Sequence, residues 1–242
     1  MFITFEGGDG TGKSTQVRLL SEHLRNAGLE VVTTREPGGS PGAEEIRALV
    51  LSGDVDRWSA ETELLLFTAA RRDHMEKTVW PALKRGAVVI SDRFVDSTRI
   101  YQGLVSDDLR KKVDDLHQMM IGFDPARTFI LDTDPDVALE RGLARLADST
   151  LDEGRFEKKG LSFQERLREG FLAIARDNPE RCARASVISR ARVLAGTGSS
   201  TPAEHLRRCL DACASISPLL SPTSWTPSSR PSPDPTQATT IL

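Results

Sequence analysis

The chain has 242 residues, 38% of them apolar and 28% charged, with a net charge of −3. That length predicts one main domain with a self-sufficient core, and the balanced charge excludes a broad basic field, so neither nucleic acid nor a membrane surface is an expected partner. Three cysteines exclude a disulfide framework, no apolar run approaches the ~20 residues of a membrane span, and Met1 enters the first strand with no basic leader, so a cytoplasmic place is expected.

Phe2-Ile3-Thr4-Phe5 reads as a short apolar strand. Gly7-Gly8-Asp9-Gly10-Thr11-Gly12-Lys13-Ser14-Thr15 follows with the spacing G-x-x-x-x-G-K-S, and Thr15 to Asn26 then carries Val17, Leu19, Leu20 and Leu24 at helical intervals. Strand, glycine loop and helix are the context a phosphate-binding P-loop requires. Its amides and the helix dipole face an anion, Lys13 reaches outer phosphates, and the Ser14 hydroxyl can ligate Mg²⁺.

Farther along, Glu30 to Thr34 reads as a strand, and Arg35-Glu36-Pro37-Gly38-Gly39-Ser40-Pro41-Gly42 as an irregular loop. Ala43 to Leu51 reads as a short helix, and Ser59 to Arg85 as a long one, capped by Ser59 and kinked at Pro81. Ala87 to Ser91 has the continuous apolar pattern of a strand covered on both faces. Ser97 to Ile121 reads as helix, Arg127 to Leu131 as strand, Pro135 to Leu146 as helix, and Phe163 to Arg176 as the last clear helix. Asp132 and Asp134 suit a strand end and a helix cap. Strands separated by helices predict an α/β, three-layer fold with a doubly wound parallel sheet of about five strands.

A P-loop leaves the acceptor open, and three segments offer candidates. Phe67 and Arg71 lie four apart on one helix face, so the ring can stack on a base beside a guanidinium; Phe67 can equally be core, and Arg71 a solvated charge. Asp92-Arg93 stands past the carboxyl end of a strand, where ligands of open α/β sheets bind. There Asp92 can hold Mg²⁺ through water and Arg93 can clamp a phosphate, or the two can form a structural ion pair. Ser97 with Tyr101 and Thr98 with Gln102 are further pairs able to face one cleft, although Ser97 also suits a helix cap.

Taken together, residues 5–16 (Phe-Glu-Gly-Gly-Asp-Gly-Thr-Gly-Lys-Ser-Thr-Gln), Arg35-Glu36-Pro37-Gly38-Gly39, Phe67 with Arg71, Asp92-Arg93-Phe94, Ser97-Thr98 and Tyr101-Gln102-Gly103 resemble thymidylate kinase of the bacterial type, over residues 1 to about 182. The resemblance implies ATP as donor with Mg²⁺, dTMP as acceptor, and a homodimer through long helices. It implies that Lys13 and the loop amides hold ATP phosphates, Ser14 holds Mg²⁺, and Asp9 lies near the acceptor's sugar hydroxyl and phosphate. Phe67 would stack on thymine, with Arg71 and Thr98 contacting the base. Arg93 would take the acceptor phosphate, Tyr101 would pack under the sugar, and Glu36 would order the acceptor side.

One subgroup of that family carries an arginine where this chain has Gly10; the other places basic residues in a lid. Arg141 and Arg145, four apart on one helix, and Arg155 in the polar stretch that follows are the matching residues here, with Arg145 the expected transition-state arginine. The kinase domain is expected over 1–214, its lid over about 147–160. Alternatives are a deoxynucleoside kinase, which needs a carboxylate base for a neutral hydroxyl, a nucleotide-dependent switch, for which no N-K-x-D motif is present, and a folded but inactive product.

Residues 183–214 depart from the family, offering only poor strands at Ser186 to Ile188 or Arg192 to Leu194, and the final strand is expected to be weak or missing. The Arg, Ser, Pro and Ala bias there resembles coding sequence read in a shifted frame, which resequencing would test. His205, Cys209 and Cys213 share a helical spacing but lack a fourth metal ligand. Residues 215–242, rich in Pro and Ser, are expected to be disordered.

Overall fold

The computed structural model describes residues 1–54, 56–147 and 160–186. Five parallel strands, β1 (Phe2–Glu6), β2 (Val31–Arg35), β3 (Val88–Asp92), β4 (Arg127–Asp132) and β5 (Cys182–Ser186), form one sheet in the order β2-β3-β1-β4-β5. The helices are α1 (Lys13–Asn26), α2 (Pro41–Leu51), α3 (Ala60–His74), α4 (Trp80–Lys84), α5 (Val95–Tyr101), α6 (Asp107–Met120), α7 (Pro135–Ala147) and α8 (Leu161–Asp177). The expected doubly wound architecture is the one observed.

Strand alternation explains the layers. Ile3 and Phe5 of β1 point to the face covered by Val17, Leu20 and Leu24 of α1, while Phe2 points to the opposite face with Leu64, Val79, Val95, Leu109 and Val113. Beside it, Ile130 of β4 meets Leu167, Phe171 and Ile174 of α8. Each such fully buried side chain contributes roughly 1.5–3 kcal/mol. β1 lies between β3 and β4, so the chain order reverses at its carboxyl end, which is where an open α/β sheet leaves a crevice.

Three expectations are corrected. The long helix is not regular throughout: just before Pro81, α3 runs into a π-helical turn, Met75–Val79, and on into α4. The carbonyl of Lys77, which Pro81 would crowd in a regular helix, falls within that widened turn. Ser59 does cap α3, accepting from the Thr62 amide at 3.2 Å, worth about 1 kcal/mol. The predicted helix from Ser97 to Ile121 is two helices, because a 3₁₀ turn (Gly103–Val105) breaks it and Ser106 caps α6 afresh through the Leu109 amide. Ser97 is no cap, since α5 begins at Val95.

The final strand is present, and earlier than either position read from sequence. Cys182-Ala183-Arg184-Ala185-Ser186 has little β-propensity. It is held by register with β4, Thr128 opposite Cys182 through Asp132 opposite Ser186, and by Arg184 donating to Asp132 at 2.5 Å. Asp134 accepts from the Asp136 amide at 3.3 Å, the expected cap of α7. The expected lid, apart from Ala147 and Gly160, lies outside the described residues. So do Arg155, the tail, and His205, Cys209 and Cys213. Among the described residues no helix is long and apolar enough to cross a membrane.

Candidate active site

The loop between β1 and α1 closes on its own lysine. Lys13 Nζ donates to the Gly7 carbonyl at 3.1 Å and the Gly8 carbonyl at 2.7 Å, while the Thr11 hydroxyl donates to Gly8 at 2.9 Å. Burial, with the nearby Arg93 charge, lowers the Lys13 ammonium to about 8. Ser14 Oγ donates to Asp92 Oδ2 at 2.8 Å, which joins the start of α1 to the end of β3.

Beyond Asp92 the backbone turns through Arg93, whose φ is 73°. Its guanidinium donates to the Gly7 carbonyl and Ser97 Oγ, both at 2.9 Å, to Asp9 Oδ1 at 2.8 Å and to the Tyr101 hydroxyl at 3.2 Å. Tyr101 in turn donates to Asp9 Oδ2 at 2.9 Å. Burial alone would raise the Asp9 carboxyl, but Arg93 and Lys13 outweigh it and hold it well below the carboxylate range. Burial and the Asp9 charge push the Tyr101 phenol up, so it stays a donor.

A second buried cluster faces this one. Arg71 donates to Glu36 Oε2 at 2.7 Å and to Thr98 Oγ1 at 2.8 Å, and its guanidinium lies 5.2 Å from the Phe94 ring centre. His74, fully buried, touches Glu36 Oε1 at 3.0 Å and Thr34 Oγ1 at 2.7 Å. Burial would raise Glu36, yet Arg71 and His74 overcome it and keep the carboxylate charged. The Glu36–Pro37 peptide is cis.

Between the clusters lies a cleft of about 560 Å³. Toward the P-loop it is lined by Asp9, Gly10, Gly12, Lys13, Ser14, Thr15 and Arg141. Its other end is lined by Glu36, Phe67, Arg71, Asp92, Arg93, Ser97, Thr98, Tyr101 and Gln102. The sequence-predicted residues therefore converge, with exceptions. Gly7, Gly8 and Thr11 face a separate cavity of about 20 Å³ toward β4 and α8. Gln102 lines the cleft while its amide nitrogen donates to Glu63 Oε2 at 3.0 Å. Arg145 lies on α7, its side chain outside the described residues.

Sequence reasoning missed Glu6, His74, Arg35 and Arg47. Glu6, fully buried, accepts from the Phe94 amide at 2.7 Å and from Ser97 Oγ at 2.6 Å. A carboxylate ending an otherwise apolar strand was the available signal. Arg35 and Arg47 line the cleft, and Arg47 donates to the Pro37 carbonyl at 2.8 Å. Nothing in the periodicity of α3 distinguishes His74 from a surface residue.

A family model described as thymidylate kinase matches residues 5–187. A thymidylate kinase from Dinoroseobacter shibae is 61% identical over 180 residues, covering 74% of this chain and 85% of the relative. One from Ruegeria pomeroyi is 61% identical over 181 residues, covering 75% and 84%. The crystal structure of thymidylate kinase from Ehrlichia chaffeensis superposes with a TM-score of 0.67 at 33% identity, over 88% of this chain and 98% of that one.

Proposed function

We infer the reaction from one premise: the chain belongs to the thymidylate kinase family. It is a nucleoside monophosphate kinase that phosphorylates dTMP. The finer reading we propose is transfer of the ATP γ-phosphoryl group to the dTMP 5′-phosphate, giving dTDP. The acceptor is already an anion, so the site needs no strong base; its task is to align two polyanions and neutralise them.

In this reading the P-loop amides and Lys13 take the ATP phosphates, with Lys13 exchanging the Gly7 and Gly8 carbonyls for phosphate oxygens. Arg93 takes the acceptor phosphate, held by Asp9 and Tyr101. Phe67 stacks on thymine, while Arg71 and Thr98 meet its edge. Tyr101 packs under the sugar. Arg141, lining the donor end of the cleft, and Arg145 lie on the helix that leads into a closing lid of about 147–160, and with Arg155 inside that lid they complete the charge around the transferring group.

The Ser14 hydroxyl and the Asp92 carboxylate oxygen, 2.8 Å apart, are hard donors that suit Mg²⁺. Among the described residues no cluster of three or more His, Cys, Asp or Glu could hold a metal alone, which fits an ion carried mainly by substrate phosphates and water. Bound there, Mg²⁺ would neutralise charge on the β- and γ-oxygens. Exposed Leu65 of α3 and Met119 of α6 support a homodimer through those helices, and the nucleotide pools it uses suit a cytoplasmic enzyme.

The observation that carries this reading is a cleft with a P-loop lysine at one end and two arginines, half-buried Arg93 and buried Arg71, at the other. Coupled measurement of ADP release over a panel of deoxynucleoside monophosphates tests it. ADP release should depend on dTMP and fail with thymidine. Release no faster with dTMP than without would overturn it.

A further inference from the structure

Among the described residues, Arg93 is the one non-glycine residue with a positive φ. Nothing about an arginine favours that conformation, so the surroundings must impose it. Its own amide donates to the Phe5 carbonyl at 2.9 Å, and its carbonyl accepts from Ser91 Oγ at 2.7 Å. Those bonds fix the entry to the turn. The exit is fixed by Glu6, which takes the next amide, Phe94, on one oxygen at 2.7 Å.

The other Glu6 oxygen accepts from Ser97 Oγ at 2.6 Å, and that same hydroxyl accepts from the Arg93 guanidinium at 2.9 Å. One carboxyl group thus grips the backbone just past Arg93 and, through Ser97, the tip of its side chain. We propose that Glu6 is a positioning residue that holds Arg93 in its left-handed turn and aims the guanidinium at the acceptor phosphate. This rests on the reading of Arg93 as the acceptor-phosphate arginine.

The chemistry explains the residue type. Phe94 N–H and Ser97 O–H are both donors, so the network is complete when both Glu6 oxygens accept, as they do once the carboxyl ionises above its raised pKa of about 8. Glutamine keeps one acceptor and presents an amide to Ser97, which can reverse but then has no acceptor for its own hydrogen. An alanine loses both contacts.

Calorimetric affinities for dTMP and for thymidine, which lacks the phosphate, test the proposal and need no turnover. Glu6→Ala should weaken dTMP by about tenfold, the size that relaxing one left-handed residue allows, and leave thymidine unchanged. Glu6→Gln should fall between, and serves alone should the alanine variant not fold. In an Arg93→Ala background the Glu6 change should cost nothing more. Equal weakening of dTMP and thymidine, or a loss that adds to that of Arg93→Ala, would overturn it. Wild-type protein that binds thymidine as tightly as dTMP would instead refute the role given to Arg93.

Discussion

Asp9 and Arg93 meet at 2.8 Å, and the Tyr101 hydroxyl closes the triangle by donating to the second Asp9 oxygen. The P-loop aspartate is therefore the counter-ion of the arginine past β3, and the two proposed nucleotide sites would share a wall. Asp9→Ala should leave that guanidinium buried without its partner. The expected cost is about 3 kcal/mol in stability, with dTMP turnover falling by about 10² or more. Denaturant unfolding and steady-state kinetics check both, and a variant as stable as wild type would contradict the pairing.

Gly10 and Gly12 both have positive φ, at 73° and 92°, but their surroundings differ. A methyl on Gly10 would lie 2.0 Å from the Ala138 carbonyl and 3.0 Å from the Gly142 amide of α7, whereas one on Gly12 meets nothing within 4 Å. Gly12→Ala should cost only backbone strain of about 1–2 kcal/mol. Gly10→Ala must also push away the helix that carries Arg141, so its turnover should fall at least about tenfold further. Equal losses in the two variants would show that α7 does not bear on the loop.

Arg71→Lys retains the charge but gives up the planar fork that joins Glu36 to Thr98. The KM for dTMP should rise by about 10-fold or more while the KM for ATP stays put, since breaking such hydrogen bonds costs about 1.5–3 kcal/mol. A change shared equally by both substrates would place Arg71 outside the acceptor pocket. Replacing dTMP by dUMP removes only a methyl, so its kcat/KM should drop by about 10–200-fold.

Glu6 gives a pH test independent of catalysis. Burial, then the Asp96 charge, pushes its carboxyl up from 4.5 to about 8. Between those values the folded chain binds more protons at this group than the unfolded chain, so its contribution to stability falls as pH rises. The cost is absent below 4.5 and complete above 8. Denaturation midpoints of Glu6→Gln should therefore gain on those of wild type from pH 5 to pH 8.5. Parallel profiles would mean the carboxyl ionises freely.

Much of this was legible because the chemistry is local. The P-loop announces itself through glycine spacing between a strand and a helix, and Arg93 through its place just past a strand end. What escaped depends on distant partners. Glu6 and Ser97 are 91 residues apart, and His74 meets Glu36 across 38, so no window of sequence contains either pair. β5 escaped because its residues are poor strand formers recruited by β4. Gln102 lines the cleft, but its bond to Glu63, 39 residues away on a separate helix, was not legible in the sequence.

Arg181, at the threshold of β5, donates to both Asp96 oxygens, at 2.6 and 3.2 Å, and to Thr128 Oγ1 at 2.9 Å. Asp96 sits on α5, two positions from Thr98 and five from Tyr101. The sheet's outer edge is thus tethered to the helix that brings Ser97, Thr98 and Tyr101 to the cleft. Among the described residues, a loosening of β5 would therefore reach that helix through Arg181 as well as through the strand pairing with β4.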